Sequence, residues 1–106
     1  MDGIDLIQEQ FPERKKLRER IEDALGGRGK LRILGVLAEN PSGLCSKYVL
    51  GRRTGLRSHA LKPDLEALLR VGWIRRYEYT PLKYGLNLGS SEVELVLEFL
   101  RKIGYV

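Results

Sequence analysis

The chain has one cysteine, one histidine, one methionine and one tryptophan among 106 residues. A lone Cys45 excludes an internal disulfide and any cysteine-built zinc site, and it is expected to be a buried or half-buried spectator thiol. With His59 the single histidine, no metal site can be assembled from the usual nitrogen and sulfur ligands. Asp64 and Glu66 could suggest catalysis, but no partner histidine, metal motif or phosphate-cradling glycine loop accompanies them. A helix-start role is expected for both, and neither an enzyme nor a cofactor is. No apolar run is long enough to span a bilayer. The opening residues, MDGIDLIQEQ, are acidic and lack the basic and apolar regions of a secretion signal, so a cytoplasmic location is expected.

What is present fits one soluble domain: 42% of the residues are hydrophobic and 31% charged. The net charge of +5 is unevenly spread. Residues 1–29 and 90–106 each carry −1, whereas residues 30–89 hold 11 basic and 4 acidic side chains, a net +7. A basic centre between near-neutral flanks suits a polyanion-binding module with neutral helices for packing or assembly. A solvated charged surface would look the same.

Residues 13–25 place Leu17, Ile21, Ala24 and Leu25 on one helical face, opened by Pro12 and ended by the glycines of GGRG. Residues 30–39 form a second helix, buried through Leu31, Leu34, Leu37 and Ala38, and NPSG then turns the chain. Ser46 can cap a third helix whose apolar face is Val49 and Leu50 and which stops near Gly55. The fourth has contradictory start signals. Leu61, Leu65, Leu68 and Leu69 continue an apolar stripe almost back to Leu56, yet Pro63, which normally marks a first turn, lies inside it. We place the start near Arg57 or Ser58, with a bend at Lys62 and Pro63 and an end at Gly72. Residues 73–88 then read as a β-hairpin with an exposed loop, in which Trp73 belongs to the core. The closing helix has a serine cap, early glutamates and late Arg101 and Lys102, with Val93, Val96, Leu97, Leu100 and Ile103 at helical spacing.

The run YVLGRRTGLRSHALKPDLEALLRVGWIRR, residues 48–76, resembles the winged helix-turn-helix family of archaeal and bacterial transcription regulators, of the PadR and MarR superfamily. Gly51 stands where a small residue lets two helices cross, Gly55 lies in the turn, and Leu50 and Leu56 flank them. Leu61 matches the position that packs the second helix on the first. LLRVGWIRR resembles the exit into the wing, and KYGL the returning wing strand. Glycine at 51, in place of the commoner alanine, and Pro63 with Asp64 depart from the usual pattern. The spacing of Pro63 to Gly72 is closest to the PadR-like regulators. The resemblance covers residues 30–88 and implies a winged helix-turn-helix at 30–89; with the helical segments read at 1–29 and 90–106, the expected fold is mainly α with a small β-hairpin (α+β).

It also implies double-stranded DNA as the partner. A major groove accepts one α-helix, so Arg57, Ser58, His59 and Lys62 would meet base edges. Arg52 and Arg53 would lie at phosphates, and Arg75, Arg76 and Lys83 in the hairpin would straddle the adjacent backbone or minor groove. Nearly all the excess charge would then face the duplex. Each of these residues could instead be a solvated surface group, His59 especially. Tyr77, Tyr79 and Tyr84 could stack on bases or, as alternating residues of a hairpin, cover the core. Surplus apolar positions at the ends, Ile7, Phe11, Leu17, Ile21, Leu95 and Phe99, suggest a homodimer interface. They could instead fold over one monomer. The rival to a DNA-binding regulator is a winged-helix protein-interaction module in a transcription or other nucleoprotein complex.

Overall fold

The computed structural model describes the backbone from residue 3 and the side chains from residue 13, both to the C-terminal Val106. The elements are α1 (Gly3–Leu25), α2 (Arg28–Glu39), β1 (Cys45–Ser46), α3 (Lys47–Thr54), α4 (Ser58–Arg70), β2 (Ile74–Tyr77), β3 (Lys83–Leu86) and α5 (Ser91–Lys102). The fold is α+β. It departs from the sequence reading first at the start of α1 and in the number of strands. Helix α1 does not open at Pro12 but runs through it from Gly3, since an internal proline removes one backbone hydrogen bond without ending the helical pitch where neighbouring residues sustain it. The sheet has a third strand: β1 pairs antiparallel with β3, giving the order β1-β3-β2. Two residues are too short for any alternation to show.

Helix α2 is the hub, packed against α1, α3, α4 and β3. Its apolar stripe is wider than the four expected positions, because Ile33 and Val36 are buried along with Leu31, Leu34, Leu37 and Ala38. A helix covered on several sides has few positions left for polar residues. Leu50 of α3, Leu61, Leu65 and Leu68 of α4, Ile74, Tyr84 and Leu86 of the sheet, and Val93, Leu97 and Leu100 of α5 complete one core, which Tyr105 closes. Trp73 is only half-buried, packing on the core with its ring nitrogen 3.4 Å from Glu92 Oε1. Val49, expected on the inner face of α3, is 37% exposed. Helix α3 meets the core mainly through Leu50.

Two left-handed glycines end helices as the GGRG and Gly55 signals implied: Gly26 at φ 66° after α1 and Gly55 at φ 76° after α3. Ser46 and Ser90 accept the amides of Val49 and Val93, capping α3 and α5. Helix α4 begins at Ser58, on the side of the apolar stripe rather than of the proline. Asp64 and Glu66 therefore lie beyond its first turn, and the expected helix-start role is not theirs. Asp64 instead reaches Lys30 of α2 at 3.0 Å and tethers the two helices.

Of the apolar end residues, Leu95 is 64% and Phe99 49% exposed. Leu17 is 37% exposed. Ile21 is half-buried against the core of its own chain. The side chains of Ile7 and Phe11 lie outside the described residues.

Candidate nucleic-acid interface

The joint between α3 and α4 fixes where the tip of α4 points. Thr54, buried at the end of α3, donates its hydroxyl to the Leu50 carbonyl at 2.6 Å and accepts the Leu56 amide at 3.2 Å. The Gly55 amide returns to the Gly51 carbonyl at 3.0 Å. A Cβ at Gly51 would lie 3.3 Å from the Leu56 carbonyl oxygen, so the absent side chain there lets the turn backbone press against α3. From this joint α4 buries Leu61, Leu65 and Leu68 at 2% exposure each, which holds its inner face rigidly on the domain.

The opposite face of its first turns is exposed. Arg57 is the extended residue before the helix, and its carbonyl accepts the amides of Ala60 and Leu61 at 2.9 and 2.8 Å. Ser58, His59 and Lys62 follow, all exposed. Among the described residues, the side chains of Arg57, His59 and Lys62 make no hydrogen bond or ion pair. No acidic residue lies in the first turn. The helix start therefore combines free amides, the positive end of the helix dipole and unneutralised cations. Such a tip attracts anions.

The other cations expected here divide. Arg52, in the last turn of α3, is exposed, with its guanidinium 5.8 Å above the Tyr48 ring and 3.5 Å from the Tyr48 hydroxyl. Arg53 instead forms an ion pair with Glu39 at the end of α2. Lys30 is held by Asp64, and Arg32 by Glu22 at 3.1 Å. Lys30, Arg32 and Arg53 of the central region are thus engaged by acids within the fold rather than free on this face.

In the hairpin, Arg75 pairs with Gly85, Arg76 with Tyr84 and Tyr77 with Lys83. Directly paired residues share a face of the sheet, and consecutive residues alternate. Arg75, Tyr77 and Lys83 therefore stand on one face. Arg76 shares the other with Ile74, Tyr84 and Leu86, and it reaches Glu78 at 3.3 Å. The expected trio of hairpin cations is a pair with an outlier. Gly85 lets the strand pack closely, since a Cβ there would crowd the Leu44 side chain at 2.7 Å and the Gly43 carbonyl at 3.2 Å. The hairpin tyrosines also divide: Tyr84 is core, whereas Tyr79 is 58% exposed and stacks on Tyr77 with ring centres 6.5 Å apart.

Tyr48, at 71% exposure, is a residue that the sequence reading missed. Its signal was present as a tyrosine four positions before Arg52, one helical turn away. Cys45 is half-buried; burial pushes its thiol up, and Lys83 draws it partly back. No cluster of three or more His, Cys, Asp or Glu among the described residues could hold a metal ion, and no helix described is long and apolar enough to cross a membrane.

No family model and no curated protein sequence matches the chain. Among solved structures it is similar to the transcriptional regulator PA4135, with 13% identity and a TM-score of 0.65 over 99% of this chain and 79% of that one. It is also similar to a MarR-family transcriptional regulator from Silicibacter pomeroyi, with 17% identity and a TM-score of 0.68 over 97% of this chain and 70% of that one. At such identities the likeness is one of fold, and that fold is the winged helix-turn-helix of MarR-type regulators.

Proposed function

We propose that the protein is a sequence-specific double-stranded DNA-binding transcriptional regulator. Helix α4 enters the major groove, and the hairpin of residues 73–88 serves as its wing. The observation that carries this reading is the tip of α4: Arg57, His59 and Lys62 stand exposed and, among the described residues, unpaired, beside a helix face that is locked into the core. Its width and its free side chains suit a groove about 12 Å across. Arg57 and Lys62 would meet base edges, with Ser58 and His59 beside them. Arg52, Arg75 and Lys83 would hold phosphates, which supply affinity but no sequence information. Arg53 and Arg76 would contribute only by leaving Glu39 and Glu78. A bend at Lys62 and Pro63 would aim the tip independently of the packed remainder.

We further propose a homodimer formed through the terminal helices, with Leu95, Phe99 and Leu17 at the interface together with Ile7 and Phe11. The exposed apolar side chains of α5 support it, since isolated domains seldom leave such a stripe uncovered. A two-fold assembly would read two half-sites about one helical turn apart, roughly 34 Å.

Selection from a pool of random duplexes tests the reading. It is expected to enrich a motif of two inverted half-sites at that spacing. Failure to enrich any motif would remove sequence-specific binding, and sedimentation as a monomer at micromolar concentration would remove the dimer. A second reading, in which the face meets another protein, draws on the exposed Tyr48 and Tyr79 beside the cations. It predicts no duplex binding even at low salt.

A further inference from the structure

Behind the turn that carries α4, a buried polar relay joins three distant parts of the chain. Its centre is Glu22 of α1, only 3% exposed although it is an acid. Two side chains donate to its carboxylate, Arg32 from α2 at 3.1 and 3.4 Å and the Tyr105 hydroxyl at 2.7 Å, and Arg28 forms an ion pair with it at 3.7 Å. Tyr105 is held from its other side, because Arg18 of α1 donates to its carbonyl at 3.1 Å and lies 5.9 Å above its ring. Burial and the bond to Glu22 push the Tyr105 phenol well above its ordinary value, so it stays a donor.

Arg32 has a second attachment. Its Nη1 donates to the Thr54 carbonyl at 3.3 Å. That carbonyl belongs to the last residue of α3, where helix carbonyls lack intrahelical partners, and a cation there also opposes the negative end of the helix dipole. The next residue is Gly55, and a Cβ on it would lie 4.0 Å from the same Nη1. One planar guanidinium thus grips α1 with one edge and the recognition turn with the other. A lysine ammonium, a compact point charge without the planar fork, would not reproduce both edges.

We propose that Arg32 is a positioning residue for α4: through Glu22 and Thr54 it couples the placement of α1 and of the C-terminal segment to the turn that aims the DNA-contacting tip. The inference rests on the reading of α4 as that tip, but its structural half can be tested without DNA. A cleft of about 860 Å³ opens beside the relay, lined by Arg18, Glu22, Arg32, Thr54 and Tyr105. Any displacement of α1 across this cleft acts first on the Glu22 to Arg32 contact. No hydrogen bond or ion pair joins Glu22 to Gly55 or Leu56 among the described residues, whereas Arg32 bonds both Glu22 and Thr54.

Amide hydrogen exchange on the full chain decides it. Arg32→Lys is expected to speed exchange at Gly55 and Leu56 about tenfold, the loss of one charge-assisted hydrogen bond, while amides in α5 keep their rates. Glu22→Gln should speed the same two amides without touching them, and Tyr105→Phe should do so more weakly. If Arg32→Lys alone changes the turn, Arg32 is a local cap and the relay is overturned. If all amides accelerate together, the residues serve global stability and the proposal is likewise overturned. Affinity for duplex DNA is read in parallel, and Arg32→Lys should lower it several-fold on all sequences. A wild-type chain that binds no duplex removes the functional reading, while the exchange result still stands or falls separately.

Discussion

Among the described residues, Arg57 and Lys62 stand unpaired at the tip of α4, whereas Arg18, Arg28 and Arg32 close around Glu22 and Tyr105. Both groups are cations on or beside helices. The difference lies in the acids: the first turn of α4 has none, whereas Glu22 is enclosed at the other site. Charge that finds an acid inside the fold serves architecture. Charge that finds none remains available to a partner, and only there can a polyanion gain from neutralising it.

Substitution in the two regions should therefore have opposite consequences. Glu22→Ala strands Arg32 and the Tyr105 hydroxyl; because Arg32 is one-third exposed, the cost is taken at the low end for a broken buried pair, about 3 kcal/mol in urea unfolding. Arg57→Ala should change stability by less than about 0.5 kcal/mol, as exposed substitutions do. It should instead lower affinity for a selected duplex by about 2 kcal/mol while leaving random duplexes little affected. Equal losses on both duplexes would move Arg57 from reading bases to holding phosphate.

The turn between the regions gives a smaller effect. Gly55→Ala places a side chain at φ 76° and should cost about 1 kcal/mol in the same unfolding experiment. Smaller again is the contrast within the hairpin. Arg75→Ala should reduce the salt slope of DNA binding by about one phosphate, and Arg76→Ala by less, since Arg76 is on the other face and paired with Glu78. Equal slopes would show that Arg76 abandons Glu78 on the duplex. The smallest effect is one of pH. The folded chain holds the Tyr105 proton more tightly than the unfolded one, so this stabilisation is complete below about pH 10 and declines as pH rises from there toward the folded value. Tyr105→Phe should flatten that decline in alkaline unfolding curves.

Much of this was legible in the sequence because its signals are local. The spacing of Gly51, Gly55, Leu61 and Gly72 places two helices and the turn between them, and the stripe from Leu61 to Leu68 settles the start of α4 against Pro63. Strand alternation alone separates Arg75 from Arg76. Other features could not be read this way. Asp64 behind a proline has the pattern of a first-turn acid, and only the packing of α4 on α2 brings it to Lys30. Glu22 lies on α1 among exposed charges and is enclosed by residues up to 83 positions away in the chain. A contact of that range leaves no periodicity.

The central claim is that the tip of α4 and the hairpin present free cations to a duplex. The salt dependence of binding, followed by fluorescence anisotropy on a labelled duplex, tests it most directly. The account predicts binding at low salt that weakens as log Kd rises linearly with log salt, by roughly 0.9 per phosphate neutralised, with a shallower slope for Lys62→Ala. No binding at low salt, or binding indifferent to salt, would contradict it.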